Sequence, residues 1–439
     1  MKYQVANNIF YRRYDDKVVL YDTSKQTVSI HTSVCKDILD AFSTEISVNE
    51  CIDYLKSVYL EISDEAVKDI EEYIQVLVNT GVLVKENVLA EDKNQIESYV
   101  KFDVIPENQL YSVQFELTFR CNEHCKHCYC VDSEVPEGSE ELTLDEIKKI
   151  LDDLYEMNAL DLTFTGGELF MRKDVWEILE YASSKRFIIN IFSNGNLMTD
   201  SDIIRIHNLY PRSVHFSIYS SVPEKHDAFT GVKGSFEKTV DAIKKLVLLG
   251  TPVNIKTNAM DYNKDEFEDI LLLAKNLGTT IQISMSITAK NDGGTEPFDY
   301  RLKEVSDYVD VMKTAQNNIV VNCSEGLEIL RDDEGQICGA GSHSLSVDPY
   351  GNVYACNSLL ISCGNLRETS IRDIWENSEQ LKKIRKFNTK DIEGCKDCPD
   401  LKYCTFCPGS AFTEVGNPLK KYSEACTIMA AKRLLNEKR

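Results

Sequence analysis

Fifteen cysteines in 439 residues are the side chains in this chain most able to do chemistry. In "CNEHCKHCYC", residues 121–130, Cys121, Cys125 and Cys128 are spaced Cys-x3-Cys-x2-Cys. Three thiolates on one short loop can hold three irons of a cubane iron-sulfur cluster and leave the fourth iron open to an outside ligand. The alternative is a structural zinc site, which needs four ligands paired at short spacing. Cys130 falls outside the triad's spacing and reads as a bystander. A second field runs Cys338, Cys356, then Cys395-x2-Cys398-x5-Cys404-x2-Cys407, then Cys426. By spacing alone its tight part would also suit a compact four-thiolate zinc site. Cys35 and Cys51 stand alone in apolar helical patterns and read as core residues.

Polar motifs follow the first thiol loop at intervals. "TFTGGE" ends on Gly166, Gly167 and Glu168; two glycines let a backbone approach a ligand closely, and the acid suits a cationic amine. "FSNG" carries Ser193 and Asn194, and "FSIYS" carries Ser217. Standing alone, each of these would be an ordinary turn or strand-end cap.

These motifs need elements to hold them in register. From residue 112 the pattern alternates strand and helix, with strands expected at "SVQFEL", "LDLTFTG", "FIINIFSNG", "SVHFSIYS", "PVNIKTNAM" and "IQISMSI". Six strand-helix units at crossover spacing imply a parallel sheet, either doubly wound or a partial barrel, with its chemistry at the C-terminal strand ends. Upstream, residues 8–31 alternate apolar and polar in three bursts, a three-stranded meander. Three helices follow, each opening on a serine cap. The spacing thus divides the chain into a small domain over 1–88, a linker over 89–111, the strand-helix domain over 112–320 and a cysteine-rich domain over 321–439. Periodicity weakens in the last of these, which is therefore expected to be organised by metal more than by a core.

Bulk composition narrows the function classes. Acids outnumber bases 71 to 49, for a net charge of -22, which argues against a nucleic-acid partner. Neither a signal peptide nor an apolar run of membrane-spanning length is visible, so the expected location is the cytoplasm, with no membrane partner. Reducing conditions there make a disulfide framework improbable and metal ligation the leading use of the thiols.

Taken together, the triad and the motifs that follow it resemble the radical S-adenosylmethionine (SAM) superfamily, whose signature is this thiol triad on the first strand of a partial (β/α)6 barrel. The resemblance implies a 4Fe-4S cluster on Cys121, Cys125 and Cys128 whose open iron chelates SAM and cleaves it to a 5′-deoxyadenosyl radical. It implies SAM contacts from Gly166, Gly167, Glu168, Ser193, Asn194 and Ser217, with His127 near the adenine. The second cysteine field resembles the SPASM extension, which implies two auxiliary 4Fe-4S clusters. Cys338, Cys356 and Cys407 would serve the first, and Cys395, Cys398, Cys404 and Cys426 the second. Either Cys323 or Cys363 is in range to close the first. The meander and helices of residues 1–88 resemble the PqqD-like winged-helix element that grips the leader of a precursor peptide by strand addition. A DNA-binding winged helix is disfavoured by acids such as those in "ISDEAVKDIEEY".

The whole pattern resembles a maturase of ribosomally made peptides, supplied with electrons by a flavodoxin or ferredoxin. The expected chemistry is a thioether crosslink of the sactipeptide or ranthipeptide kind. The alternatives within the enzyme class are carbon-carbon, carbon-oxygen or carbon-nitrogen crosslinking and epimerisation; a metal-stabilised peptide-binding protein without catalysis is the alternative outside it.

Overall fold

The structure, a computed structural model, describes residues 1–85, 105–130, 140–316, 335–401 and 404–437. Cys323 and most of the proposed linker lie outside the described residues. The first strand, β1 (Lys2–Val5), is followed by the expected meander: β2 (Ile9–Tyr14), β3 (Lys17–Asp22) and β4 (Thr27–Thr32), paired antiparallel in that order. Helices follow at Val34–Ala41, Val48–Val58 and Asp64–Asn79. Two of the three serine caps form. Ser47 makes a reciprocal capping box with Glu50 and Ser63 accepts from the Ala66 amide, whereas Ser33 has helical backbone angles and caps nothing. Sequence periodicity missed a second small sheet, in which β1 lies between the two-residue strands β5 (Ile46–Ser47) and β6 (Leu83–Val84). Strands this short carry no period to read. Cys35 and Cys51 are fully buried in this module's core.

The expected strand-helix units form six parallel strands: β7 (Ser112–Glu116), β8 (Asp161–Thr165), β9 (Ile188–Ser193), β10 (Ser213–Ser217), β11 (Val253–Asn258) and β12 (Thr280–Ser284). Each pairs with its neighbour in chain order. A doubly wound sheet would reverse its strand order at a switch point, and no reversal occurs among these six, so the partial barrel is the right choice. Apolar residues of β8 and β9 are fully buried against the surrounding helices. Capping boxes at Thr143 and Thr199 start the helices Leu144–Glu156 and Asp200–Asn208.

The C-terminal region corrects one expectation. β13 (Ser344–Val347) pairs parallel with β7, and β14 (Asn352–Cys356) and β15 (Leu359–Asn365) continue antiparallel from it, giving one nine-stranded sheet. Leu345, Val347, Val353, Ala355, Trp375 and Leu381 belong to the barrel's own hydrophobic core. Short strands hid this periodicity: much of the region rests on a core shared with the barrel, while Ile337, Ile392, Phe406, Ala411 and Tyr422 form a separate small cluster around Cys395.

Meander contacts reach the opposite end of the barrel from the strands' C-termini. Phe10, Tyr14, Val19 and Tyr21 pack with Tyr111, Leu160 and Ile188. Arg12, buried, donates to the carbonyls of Ala159 (3.0 Å), Lys185 (2.9 Å) and Arg186 (3.2 Å), just ahead of β8 and β9. Its guanidinium also lies over the Tyr155 and Phe187 rings.

Candidate active site

A cavity of about 350 Å³ opens at the C-terminal ends of the barrel strands, and Cys121, Cys125, Cys128 and Cys130 all line it. The thiol loop follows β7 and is fixed by the end of the helix Pro223–Thr230 and by Asn291. His124 N donates to Thr230 O (2.8 Å), Lys126 N to Phe229 O (3.2 Å), and Asn291 N to Tyr129 O (2.9 Å). Beneath the loop, the Arg172 guanidinium donates to the Leu117 and Leu142 carbonyls at 3.0 and 2.7 Å.

Gly166 and Gly167 abut this loop through their backbone. Gly167 N donates to Thr118 O (2.7 Å) and Glu168 N to Arg120 O (2.9 Å). Gly166 has φ +141°, and a Cβ there would lie 2.2 Å from Thr118 O; one on Gly167 would lie 2.4 Å from Arg120 O. The glycines therefore let the second strand's end lie against the thiol loop, a constraint that "TFTGGE" does not reveal. Both also line the cavity.

Glu168 is fully buried and faces a polar hub. Its carboxylate accepts from Ser193 Oγ (2.9 and 3.0 Å), the Asn194 amide (2.7 Å) and the Phe170 amide (3.1 Å). Burial raises its pKa to about 7, against the pull of those hydrogen bonds. Asn194 in turn donates to Asn122 Oδ1 (2.8 Å) and lies 3.9 Å from Cys121 Sγ. Ser193, Asn194 and Ser217 line the cavity. Three motifs separated in sequence thus meet at one rim. His127 lies edge-on between Tyr219 (4.7 Å) and Phe229 (5.1 Å). Burial lowers its pKa to about 4, and its Nδ1 has no hydrogen-bond partner among the described residues.

Several cavity residues escaped sequence reasoning. Glu123, inside the thiol loop, accepts from Cys125 Sγ (3.3 Å) and lies against Asn196 Nδ2 at 2.5 Å; burial lifts its pKa to about 7. Tyr129, also on the cavity wall, is held from behind by Glu116 at the end of β7, whose carboxylate accepts from Tyr129 Oη (2.8 Å). Phe192, His215, Lys256 and Asn258 line the lumen. A signal for His215, Lys256 and Asn258 existed, since polar residues at period two in "SVHFS" and "VNIKTN" mark a face turned toward a wet lumen.

Among the other thiols, burial raises the pKa of Cys356, and the next contributors include the nearby charges of Cys407 and Cys338, which brings this trio together. Burial raises the pKa of Cys395, with the nearby charges of Cys426 and Cys398 adding to it, and Cys404 packs against the cluster that contains Cys395. Cys363 is buried in the barrel core, its thiol directed at the Ile361 carbonyl. Cys356 Sγ is 3.5 Å from Asn357 Oδ1, and Asn357 lines the main cavity. Among the described residues no three Cys, His, Asp or Glu side chains converge on one ion-sized point.

Comparison with known proteins agrees with this geometry. Residues 115–274 match the Radical SAM superfamily and residues 338–399 match an iron-sulfur cluster-binding domain, SPASM. An AdoMet-dependent heme synthase of Methanosarcina barkeri is 29% identical over 333 residues, covering 70% of this chain and 94% of that protein. The antilisterial bacteriocin subtilosin biosynthesis protein AlbA of Bacillus subtilis is 30% identical over 303 residues, covering 67% of this chain and 66% of AlbA. Streptococcus suis SuiB bound to its precursor peptide SuiA shares the fold at a TM-score of 0.62 and 13% identity, over 97% of this chain and 100% of that one. Among the described residues no helix is long and apolar enough to cross a membrane. The chain belongs to the radical SAM superfamily and is a radical SAM enzyme with a SPASM iron-sulfur cluster-binding domain.

Proposed function

We propose that this enzyme matures a ribosomally made precursor peptide by forming a thioether between a cysteine sulfur and a carbon of the peptide. The observation that carries the reading is the shared wall of the two thiol regions: Cys121, Cys125 and Cys128 open on a cavity whose lining includes Asn357, the neighbour of Cys356. A cluster on the first three cysteines would supply a 5′-deoxyadenosyl radical from SAM. Two auxiliary 4Fe-4S clusters would lie on Cys338, Cys356 and Cys407 and on Cys395, Cys398, Cys404 and Cys426. Around the SAM-binding cluster, Glu168 holds Ser193 and Asn194 at the rim, His127 closes the aromatic side, and Gly166, Gly167 and Ser217 line the space that SAM would take.

Leader recognition falls to residues 1–88. The meander's outer strand β4 is an edge with mostly exposed residues, among them Ile30 at 52%, which suits strand addition. AlbA, a bacteriocin biosynthesis protein, supports a peptide substrate. A heme synthase activity is less favoured, because that relative is matched nearly end to end while 30% of this chain is left over.

Anaerobic reconstitution with SAM, a reductant (dithionite, or a flavodoxin or ferredoxin) and the precursor peptide tests the proposal. The expected result is 5′-deoxyadenosine, a product lighter by two hydrogens per crosslink, and one cysteine fewer available to alkylation. A two-hydrogen loss with every cysteine still alkylated would overturn thioether formation in favour of a carbon-carbon, carbon-oxygen or carbon-nitrogen bond.

A further inference from the structure

A second cavity, of about 360 Å³, lies between the N-terminal module and the barrel floor, at the end remote from the thiol loop. Four cations line it, Arg12 and Lys36 from the module and Lys185 and Arg186 from the barrel, against one carboxylate, Asp40. The chain as a whole carries a net charge of -22, so this crevice runs against the sign of its surroundings. Lys36 pairs with Asp40 (2.5 Å), which also accepts from Tyr11 Oη (3.0 Å), and Lys185 pairs with Asp152 (2.5 Å). The two guanidiniums remain: neither Arg12 nor Arg186 forms an ion pair among the described residues. Burial lowers the pKa of both, so each cation is desolvated without a direct counterion.

Their donors are unequally committed. Arg12 places Nε, Nη1 and Nη2 on backbone carbonyls, whereas Arg186 commits only Nη1, to Ala6 O (3.2 Å) and Ile9 O (3.0 Å). Among the described residues nothing takes the Nε–H of Arg186 or the Nη2–H parallel to it, and these two form the fork that meets two oxygens of an oxyanion side-on. A guanidinium pair without carboxylates calls for two negative charges, and a phosphate monoester carries about −1.5 to −2 at neutral pH. A carboxylate of the leader fits less well, because β3 separates β2, which carries Arg12, from β4, the edge proposed for the leader.

We propose that this crevice binds a phosphate group, free or as a small phosphate ester, on the Arg186 fork, and that the bound anion fastens the N-terminal module to the barrel. Inorganic phosphate and ribose 5-phosphate are titrated calorimetrically into the reconstituted holoenzyme at fixed ionic strength. One saturable site is expected; tighter binding of the ester makes an organic phosphate the ligand, and tighter binding of inorganic phosphate makes it the free anion. Arg186→Lys keeps the charge but not the fork and should weaken binding at least about tenfold. Lys185→Met, which leaves the Arg186 contacts to Ala6 and Ile9 in place, should weaken it about two- to fivefold and keeps the test decisive if Arg186→Lys does not fold. Saturating ligand should slow hydrogen exchange at β2 and at residues 184–187, whereas protection confined to the cavity at the thiol loop overturns the assignment. The absence of saturable phosphate binding overturns it too, as does an affinity unchanged in the folded variants. Tighter binding of acetyl-Asp-Asp-amide than of either phosphate also refutes it and assigns the crevice to an acidic peptide.

Discussion

Replacing Gly166 with alanine should damage the thiol loop without touching a thiol. At φ +141° a non-glycine residue costs about 1–3 kcal/mol in backbone strain. The new Cβ would stand 2.2 Å from Thr118 O, where ordinary contacts begin near 3.4 Å, so Thr118 must retreat by about 1 Å. That partner is backbone and has no rotamer to escape into. Moving it endangers the Gly167 N to Thr118 O and Glu168 N to Arg120 O hydrogen bonds, each worth about 1 kcal/mol. The sum is about 3–5 kcal/mol, or roughly 10 °C in the melting temperature of a domain this size. Thr118 is only three residues from Cys121, so the displacement passes straight to the first ligand. Iron analysis after anaerobic reconstitution should fall from about twelve to about eight per chain by the three-cluster reading, and SAM-dependent deoxyadenosine should be lost. Gly250→Ala is the control, because its φ is +81° but nothing lies within 4 Å of the added carbon; it should show the strain alone. If Gly166→Ala keeps its iron and melts within about 2 °C of the wild type, the steric argument is wrong.

Alanine at Cys121, Cys125 or Cys128 should abolish deoxyadenosine formation, while Cys130→Ala should retain most of it; loss in the Cys130 variant would make that cavity thiol, which hydrogen-bonds to Cys128, part of the working site. Glu168 is raised from 4.5 to about 7 by burial, so between those values the folded state holds a proton that the unfolded state has released. Stability should therefore fall as pH rises from about 4.5 to 7, by up to about 3 kcal/mol, and Glu168→Gln should flatten the profile in denaturant titrations; parallel profiles would refute it. Arg12→Met strands three carbonyls at the barrel floor and should cost about 2–4 kcal/mol, splitting calorimetric unfolding so that the N-terminal module melts first; a single unchanged transition would count against docking through Arg12. Because the meander and the cavity lie at opposite ends of strands about 17–20 Å long, the leader's paired segment and the attacked residue should be separated by at least about six residues. Shortening that spacer below this length should end crosslinking while leader binding persists by fluorescence anisotropy.

Much of the chemistry could be read from local spacing. A Cys-x3-Cys-x2-Cys loop directly after a strand, with Gly-Gly-Glu one strand later, depends on neighbours a few residues apart, and so does the alternation that marks β7 to β12. Short or shared elements could not be read this way. Strands β5 and β6 have two residues each, and β13 finds its partner in β7, more than 200 residues earlier. Sequence patterning placed the C-terminal region among metal-organised domains because its apolar residues pack into a core that another part of the chain begins.

The sequence by itself determined which atoms could bind a cluster, because ligand identity and loop spacing are local properties. Tertiary structure decided what those atoms face. Glu168 turns to Ser193 and Asn194 because β8 and β9 end side by side, Gly166 is required by a carbonyl 48 positions away in the chain, and Lys256 meets Phe192 and His215 only because three strands share one register. Contacts across a parallel sheet join residues with no sequence relation, so the lumen and its charge exist only once the barrel has formed.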